Sequence, residues 1–277
     1  MRQVLRYSSL VAENYRSYSV YIYGYTSFLA QALINSLVTG GIKYVTIPRD
    51  FDFEPSTQLP RNKIGTRNVL VSMAWVSNRN NDYQDAEANN FWKSHSLKIA
   101  EWCERNNFEL MIPGTCLEYA EQAQSEYVRA KKMLYNEIEK RGLSVAFYWP
   151  RVFYAFSIEF MRPRVVREAL IARESGESFE LKSPNEYHDY IEMNDVAHQL
   201  KSLLDLSLSG TWDIGSGILH SNRELIDSIF KIKTETLIRN QEEGKSMVQD
   251  TWNSQARLTV PNHFFQIENT LRFFSRL

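Results

Sequence analysis

Cysteine is almost missing: Cys103 and Cys116 are the only two in 277 residues. Two thiols build neither a disulfide framework nor a thiolate metal site, so a reducing, cytoplasmic setting is expected. Excess charge of either sign is missing too. The 32 Lys and Arg balance 33 Asp and Glu to a net charge of -1, which implies no polyelectrolyte partner and no nucleic acid. No window approaches the ~18 apolar residues that would cross a bilayer. Residues 1–17 mix Arg2, Arg6, Glu13 and Arg16 with scattered apolar residues and lack the apolar run of a secretory signal. The five His residues show no metal-ligand spacing. What is abundant is aromatic: 15 Tyr, 15 Phe and 6 Trp, a composition that suits a ligand cleft. The length allows one large domain or two small ones with a proper core.

Taken in order, Tyr18 to Tyr23 reads as a strand of β-formers, Gly24 to Ser27 as a turn, and Phe28 to Val38 as a helix ended by Gly40-Gly41. Tyr44 to Ile47 is a second strand stopped at Pro48, so the chain opens with a βαβ unit. The alternation continues with strands over 68–73, 109–112 and 143–149, the last stopped by Pro150, and helices over 89–106 and 125–141. Alternation of this kind predicts a Rossmann-like, doubly wound parallel sheet. Ligands of such sheets sit beyond the carboxyl ends of the strands, where Gly24, Arg49, Ala74, Thr115 and Pro150 are expected. Past Trp149 the pattern loosens. Helices are expected over 163–174, 195–206 and 221–232, the last opened by a capping box, Ser221-Asn-Arg-Glu224. Short strands are expected over 178–181 and 211–214, and a terminal helix near Phe264–Phe274. The expected organisation is an extension over 1–17 and a core over 18–155 to which 189–215 returns. A smaller C-terminal substrate-binding lobe fills most of 156–277.

Tyr127 and Lys131 are four residues apart, hence on one helix face. An ammonium beside a phenol favours the phenolate and lowers its pKa from ~10. Thr115, at a strand end, supplies a hydroxyl that could converge on the same point. Gly24-x-x-Ser27-x-x-Ala30 stands where a dinucleotide-binding turn stands, with Ser27 in place of a second glycine. An ordinary βα turn has the same residues. Arg49 follows the second strand, where an acid would favour NAD and an Arg accommodates the 2′-phosphate of NADP. Cys116 reads as a half-buried thiol rather than a nucleophile, and His188 and Asp189 as cleft or structural residues.

Together these segments resemble the extended short-chain dehydrogenase/reductases, in particular the nucleotide-sugar epimerase/dehydratase/reductase group, from about Val20 to Leu277. Val20-Tyr-Ile-Tyr-Gly-Tyr-Thr-Ser-Phe-Leu-Ala30 is similar to the family's opening glycine motif, and Leu70-Val-Ser-Met-Ala-Trp75 to its fourth strand. Asn90 matches a supporting helix asparagine. Pro113-Gly-Thr-Cys-Leu-Glu-Tyr119 resembles the Ser/Thr segment, and Tyr127-x-x-x-Lys131 the family's Tyr-x-x-x-Lys. Trp149-Pro-Arg-Val-Phe-Tyr154, His188-Asp-Tyr-Ile-Glu-Met-Asn-Asp-Val-Ala197 and Trp212-Asp-Ile-Gly-Ser-Gly217 resemble markers further along.

The resemblance implies an acid/base Tyr127, a Lys131 that lowers its pKa and holds the nicotinamide ribose, and a Thr115 that hydrogen-bonds the reacting oxygen. It implies a cofactor site of Gly24, Thr26, Ser27, Phe28, Leu29, Arg49, Met73, Ala74, Trp75, Asn90, Lys131 and Pro150. Substrate is expected at Thr115, Cys116, Leu117, Tyr127, Arg151, Arg164 and His188, with Arg151, Arg164 and Arg223 as candidate pyrophosphate partners. The family's dehydratases carry Asp-Glu where Cys116 and Leu117 stand. Its 3,5-epimerase/reductases carry Cys where Leu117 stands. What the resemblance leaves is hydride chemistry at C4: an NADP(H)-dependent reductase of a nucleotide-linked 4-keto-6-deoxyhexose, or a 4-epimerase with tightly held NAD. A non-catalytic binding protein on the same fold is the third reading, motivated by Ser27. A homodimer through the helices at 89–106 and 125–141 is expected, with Trp92, Trp102 and Tyr135 compatible with it.

Overall fold

The computed structural model describes residues 18–60, 67–75, 83–120, 125–157, 165–181 and 183–230. Arg164 and the terminal helix expected near Phe264–Phe274 lie outside them. The chain runs β1 (Tyr18–Tyr23), α1 (Phe28–Thr39), β2 (Lys43–Ile47), β3 (Arg67–Ser72), α2 (Ala86–Arg105), β4 (Glu109–Met111) and β5 (Gly114–Thr115). A 3₁₀ turn (Cys116–Tyr119), α3 (Glu126–Arg141), β6 (Phe147–Val152) and β7 (Tyr154–Phe156) follow. The second part is α4 (Val165–Ser175), β8 (Tyr187–His188), β9 (Tyr190–Glu192), α5 (Met193–Asp205), β10 (Gly210–Ile214), β11 (His220–Ser221) and α6 (Asn222–Phe230).

The main sheet has the order β10-β6-β4-β3-β1-β2, with β5 pairing β6 beyond the end of β4. Every pairing in it is parallel. A parallel sheet buries both faces of its inner strands, and only the edge strand β2 is largely exposed, at Lys43 to Thr46. In β1, Val20 and Ile22 pack on one side against α1 and α5, with Leu33, Leu37, Val196, Leu200 and Leu203. Tyr21 and Tyr23 pack on the other side against α2 and α3, with Ile99, Trp102, Leu134 and Ile138. Residues 48–60 join that second layer without forming a helix or strand. Phe51 and Phe53 pack edge-on against Trp102, Trp102 Nε1 donates to Thr57 O at 2.8 Å, and Tyr21 Oη donates to Pro60 O at 2.6 Å.

A separate small core joins α4 and α6 with Phe156 and Tyr190, built on the two-stranded pairs β7–β9 and β8–β11. β10 returns to the main sheet beside β6. The Ser221–Glu224 capping box forms as expected: Ser221 N donates to Glu224 Oε2 at 2.9 Å and Glu224 N to Ser221 Oγ at 3.1 Å.

Two expectations need correction. The strand expected over 143–149 spans Phe147–Val152 and passes through Pro150. Leu110 N and Ile112 N donate to the carbonyls of Ala146 and Tyr148, so the even-numbered residues of β6 face β4. The N–H that Pro150 lacks therefore falls at the gap between β4 and β5. Residues 178–181 form no strand. Phe179 and Leu181 pack sideways onto the small core and have no ladder partner.

Candidate active site

β1, β3, β5 and β6 deliver their carboxyl ends to a cavity of about 600 Å³. Thr115, Tyr127 and Lys131 all line it, as do Ser27, Phe28 and Leu29 at the start of α1. Ser125 opens α3 by accepting from Val128 N, and one helical turn then carries Tyr127 and Lys131 to the same wall.

Lys131 is 3% exposed. Its Nζ donates to Pro113 O at 2.8 Å and lies 4.1 Å from the Trp75 ring centre and 5.9 Å from that of Tyr127. Burial pulls its pKa down to about 7, and the Glu118 charge opposes the fall. Around neutrality this amine therefore stands near its titration midpoint. Trp75 is held by a 2.9 Å hydrogen bond from Nε1 to Asn89 Oδ1 and meets Tyr127 edge-on at 5.9 Å. Tyr83 meets Tyr127 from another side at 5.2 Å.

Thr115 is the N-cap of the 3₁₀ turn. Its Oγ1 accepts from Leu117 N at 3.3 Å, and its N donates to Glu118 Oε1 at 2.8 Å. Cys116 and Leu117 line the cavity beside it. Cys116 is buried rather than half-buried, and burial pushes its thiol well above the usual range. This is the state of an inert thiol, not a nucleophile.

Three features fit a pyrophosphate at the start of α1. Gly24 has φ of +78°, and an added Cβ would stand 2.5 Å from Ala74 N, so only glycine makes this turn. Ser27 folds back on its own helix, Oγ accepting from Ala30 N at 3.2 Å, so its hydroxyl is engaged with the first turn of α1. The first turn carries no acidic residue, and its N–H groups suit an anion. Of the other expected cofactor residues, Met73 and Trp75 line the cavity. Gly24, Thr26 and Ala74 are not among its lining residues, though Gly24 packs against the Ala74 backbone. Arg49 is exposed at the end of β2, beyond the cavity, where its carbonyl accepts from Tyr23 Oη at 3.2 Å.

Three further expected site residues lie elsewhere. Asn90 is exposed, and its neighbour Asn89 is 3% exposed and holds Trp75. One residue on a helix is a 100° turn, which separates the inner face from solvent. Pro150 lies inside β6, and Val152 and Phe153 reach the cavity instead. Arg151 turns away from the cavity to Glu118 Oε2 at 3.1 Å and Tyr119 Oη at 3.1 Å. Asp189 is 1% exposed and accepts from Ser216 N and Gly217 N, both at 2.8 Å, so it braces a turn.

His188 does line the cavity. It stacks on Tyr154 at 4.0 Å, with Nε2 3.5 Å from the Glu186 carboxylate. Its Nδ1 is buried without a hydrogen-bond partner among the described residues. Arg167 of α4, absent from the sequence expectations, also lines the cavity. Arg223 starts α6, where its N–H donates to Pro184 O at 3.0 Å. No group of three or more metal-ligating side chains occurs among the described residues, and no helix there is long and apolar enough to cross a membrane.

No protein-family model matches the chain, and no curated protein matches it. Solved structures do. UDP-N-acetylglucosamine 4-epimerase from Bacillus cereus aligns with a TM-score of 0.69 at 15% identity over 94% of this chain and 97% of its own. The enzyme of that name from Methanobrevibacter ruminantium, in complex with UDP-N-acetylmuramic acid, gives 0.67 at 15% over 95% and 100%. An NAD-dependent NDP-hexosamine 5,6-dehydratase involved in tunicamycin biosynthesis gives 0.64 at 16% over 94% and 98%. The chain therefore has the fold of the extended short-chain dehydrogenase/reductases. Its structural neighbours are the epimerases and dehydratases of nucleotide sugars, and at these identities the likeness is one of fold.

Proposed function

We propose that the protein is an oxidoreductase of nucleotide sugars, and specifically an NADPH-dependent reductase of a nucleotide-linked 4-keto-6-deoxyhexose. The observation that carries this reading is the meeting of Thr115, Tyr127 and Lys131 with the start of α1 on one cavity. Ser27, Phe28 and Leu29 would hold the pyrophosphate, and Lys131 would hold the nicotinamide ribose where the Trp75 indole yields to it. The bound dinucleotide supplies the hydride to the ketone carbon. Tyr127 gives its phenolic proton to the ketone oxygen, Lys131 in its charged form makes that loss easier, and Thr115 orients the oxygen. Cys116 and Leu117 leave no acid/base pair for elimination of water. Arg49 at the end of β2 favours a 2′-phosphate.

The test is loss of NADPH absorbance with nucleotide-linked 4-keto-6-deoxyhexoses. Tyr127→Phe is expected to lower kcat by about 10²–10⁴-fold, with NADPH affinity retained in a titration. The 4-epimerases among the structural neighbours favour a second reading, a 4-epimerase. It predicts NAD released on denaturation and no net NADPH oxidation. The cover of Trp75 over Lys131 favours a third, a non-catalytic binding protein, and tight NADPH binding would eliminate it. The proposed assembly is a homodimer through α2 and α3. Trp92 and Trp102 are buried within their own chain and Tyr135 packs onto the same core, so the apolar groups offered to a partner are Phe91, 59% exposed, and Met133, 42% exposed.

A further inference from the structure

Behind the cavity wall lies an acidic side chain that touches neither cavity nor solvent. The Glu118 side chain is 5% exposed. One of its oxygens accepts from Thr115 N at 2.8 Å. The other accepts from Trp149 Nε1 at 2.9 Å and Arg151 Nε at 3.1 Å. The backbone is shaped to admit it: an added Cβ at Gly114 would stand 2.5 Å from Trp149 Nε1 and 2.6 Å from Glu118 Oε1. Segment 113–118 is thus tied twice, by Lys131 at the Pro113 carbonyl and by Glu118 at the Thr115 amide.

We propose that Glu118 is a positioning residue of this site, fixing Thr115 through its backbone and serving as the counter-charge to the Lys131 ammonium, with Arg151 moderating both effects from behind. Among the described contacts of Lys131, none carries a full charge. From its own helix comes the Tyr127 phenol, and from the loop after β3 and from β6 come the uncharged Trp75 and Trp149. Pro113 offers a carbonyl. Glu118 is the charged group that acts on Lys131, and it favours the protonated amine. Arg151 pairs with Glu118 and so weakens that pull, while its guanidinium is fixed over the rings of Tyr119 and Tyr135.

Two variants move Lys131 in opposite directions. Glu118→Gln removes the counter-charge and is expected to lower the Lys131 titration midpoint by about one pH unit. Arg151→Gln frees the counter-charge and is expected to raise it by a similar amount. A brace without an electrostatic role behaves otherwise. Loosening the wall by either variant would admit water and move Lys131 up towards an ordinary lysine in both. The measurement is a ¹³C NMR titration of the lysine ε-methylenes in the free protein, with Lys131 assigned from Lys131→Met. It reads the inference whatever reaction the protein catalyses. A midpoint that rises in both variants, or that neither variant moves, overturns it. Should Glu118→Gln fail to fold, Arg151→Gln and Glu118→Asp carry the test. The shorter acid keeps the charge, so its midpoint stays within a few tenths of a unit of wild type, and a fall of a full unit would be adverse.

The kinetic arm rests on the reductase reading. There Glu118→Gln is expected to lower kcat about 10²-fold through misplacement of Thr115 while KM changes little, with the alkaline limb of kcat moved to lower pH. A wild-type protein that reduces nothing sinks the reductase reading and leaves the NMR result to judge the inference. An active protein whose Glu118→Gln variant keeps its kcat sinks the positioning role.

Discussion

Lys131 shows how a single residue can trade stability for chemistry. In the folded protein its pKa is pulled down to about 7, whereas an unfolded lysine titrates at ~10.4. Between those values the unfolded chain binds the extra proton, so the lysine's effect on stability becomes more favourable as pH rises through the window. Below pH 7 both states are protonated and the burial penalty is present in full. Lys131→Met is therefore expected to stabilise the protein at pH 6 by about 1–3 kcal/mol, a gain that disappears by about pH 10.4. Thermal melts across pH check the sign, and the same variant should lose turnover. Tyr127 and Lys131 are readable from sequence because helix geometry fixes what a four-residue spacing does. Asn90 is misplaced by one position because nothing in Asn89-Asn90 says which one turns inward. Glu118 had a usable signal: Thr115-Cys-Leu-Glu118 has the spacing of the Ser221–Glu224 capping box. The signal is masked because a single 3₁₀ turn follows it, with no apolar helical repeat behind.

At the scale of elements, the long strands and helices announce themselves through runs and repeats, and they form within a few residues of where those patterns place them. The pieces that do not are the short strands whose partners lie far along the chain. β7 exists because Tyr154 meets Tyr190 and β11 because His220 meets His188. Their cause lies at a distance along the chain, where no local pattern reaches. The amino-terminal edge of the sheet carries its own fastening. Arg67 pairs with Glu109 through two hydrogen bonds of 2.7 and 2.6 Å and donates to Tyr148 Oη at 2.9 Å, while Tyr148 Oη donates to Glu109 Oε2 at 2.8 Å. This joins β3, β4 and β6 far from the cavity. Arg67→Met strands a largely buried carboxylate and is expected to cost about 2–4 kcal/mol, or roughly 5–10 °C in Tm, with KM unchanged. Arg67→Met/Glu109→Gln should recover part of the loss. A melt of the double variant no higher than the single one would show that the pair contributes through packing rather than charge.

For the whole molecule, the doubly wound sheet and the placing of the site at its carboxyl edge follow from the alternation of strand and helix. The small core does not, since its parts come from segments more than 60 residues apart, Phe156 and Ile229 among them. The proposed dimer makes its own demand. Phe91→Glu together with Met133→Glu places charges on the exposed apolar groups of α2 and α3 and should yield a folded monomer by sedimentation velocity. An unchanged sedimentation coefficient would direct the search for a partner surface elsewhere.

The packing of α1 against α5 on one face of the sheet sets a timetable for a chain made from its amino terminus. Leu33 and Leu37 of α1 are covered by Leu200 and Leu203 of α5, and Tyr18 reaches across to Asp205 at 2.7 Å. The covering helix leaves the ribosome about 165 residues after the one it covers, on the order of ten seconds later at ordinary rates of synthesis. For that interval the nascent amino-terminal half has no lid for its most apolar helix. This protein is thus expected to lean on chaperones during translation more than its final stability would suggest.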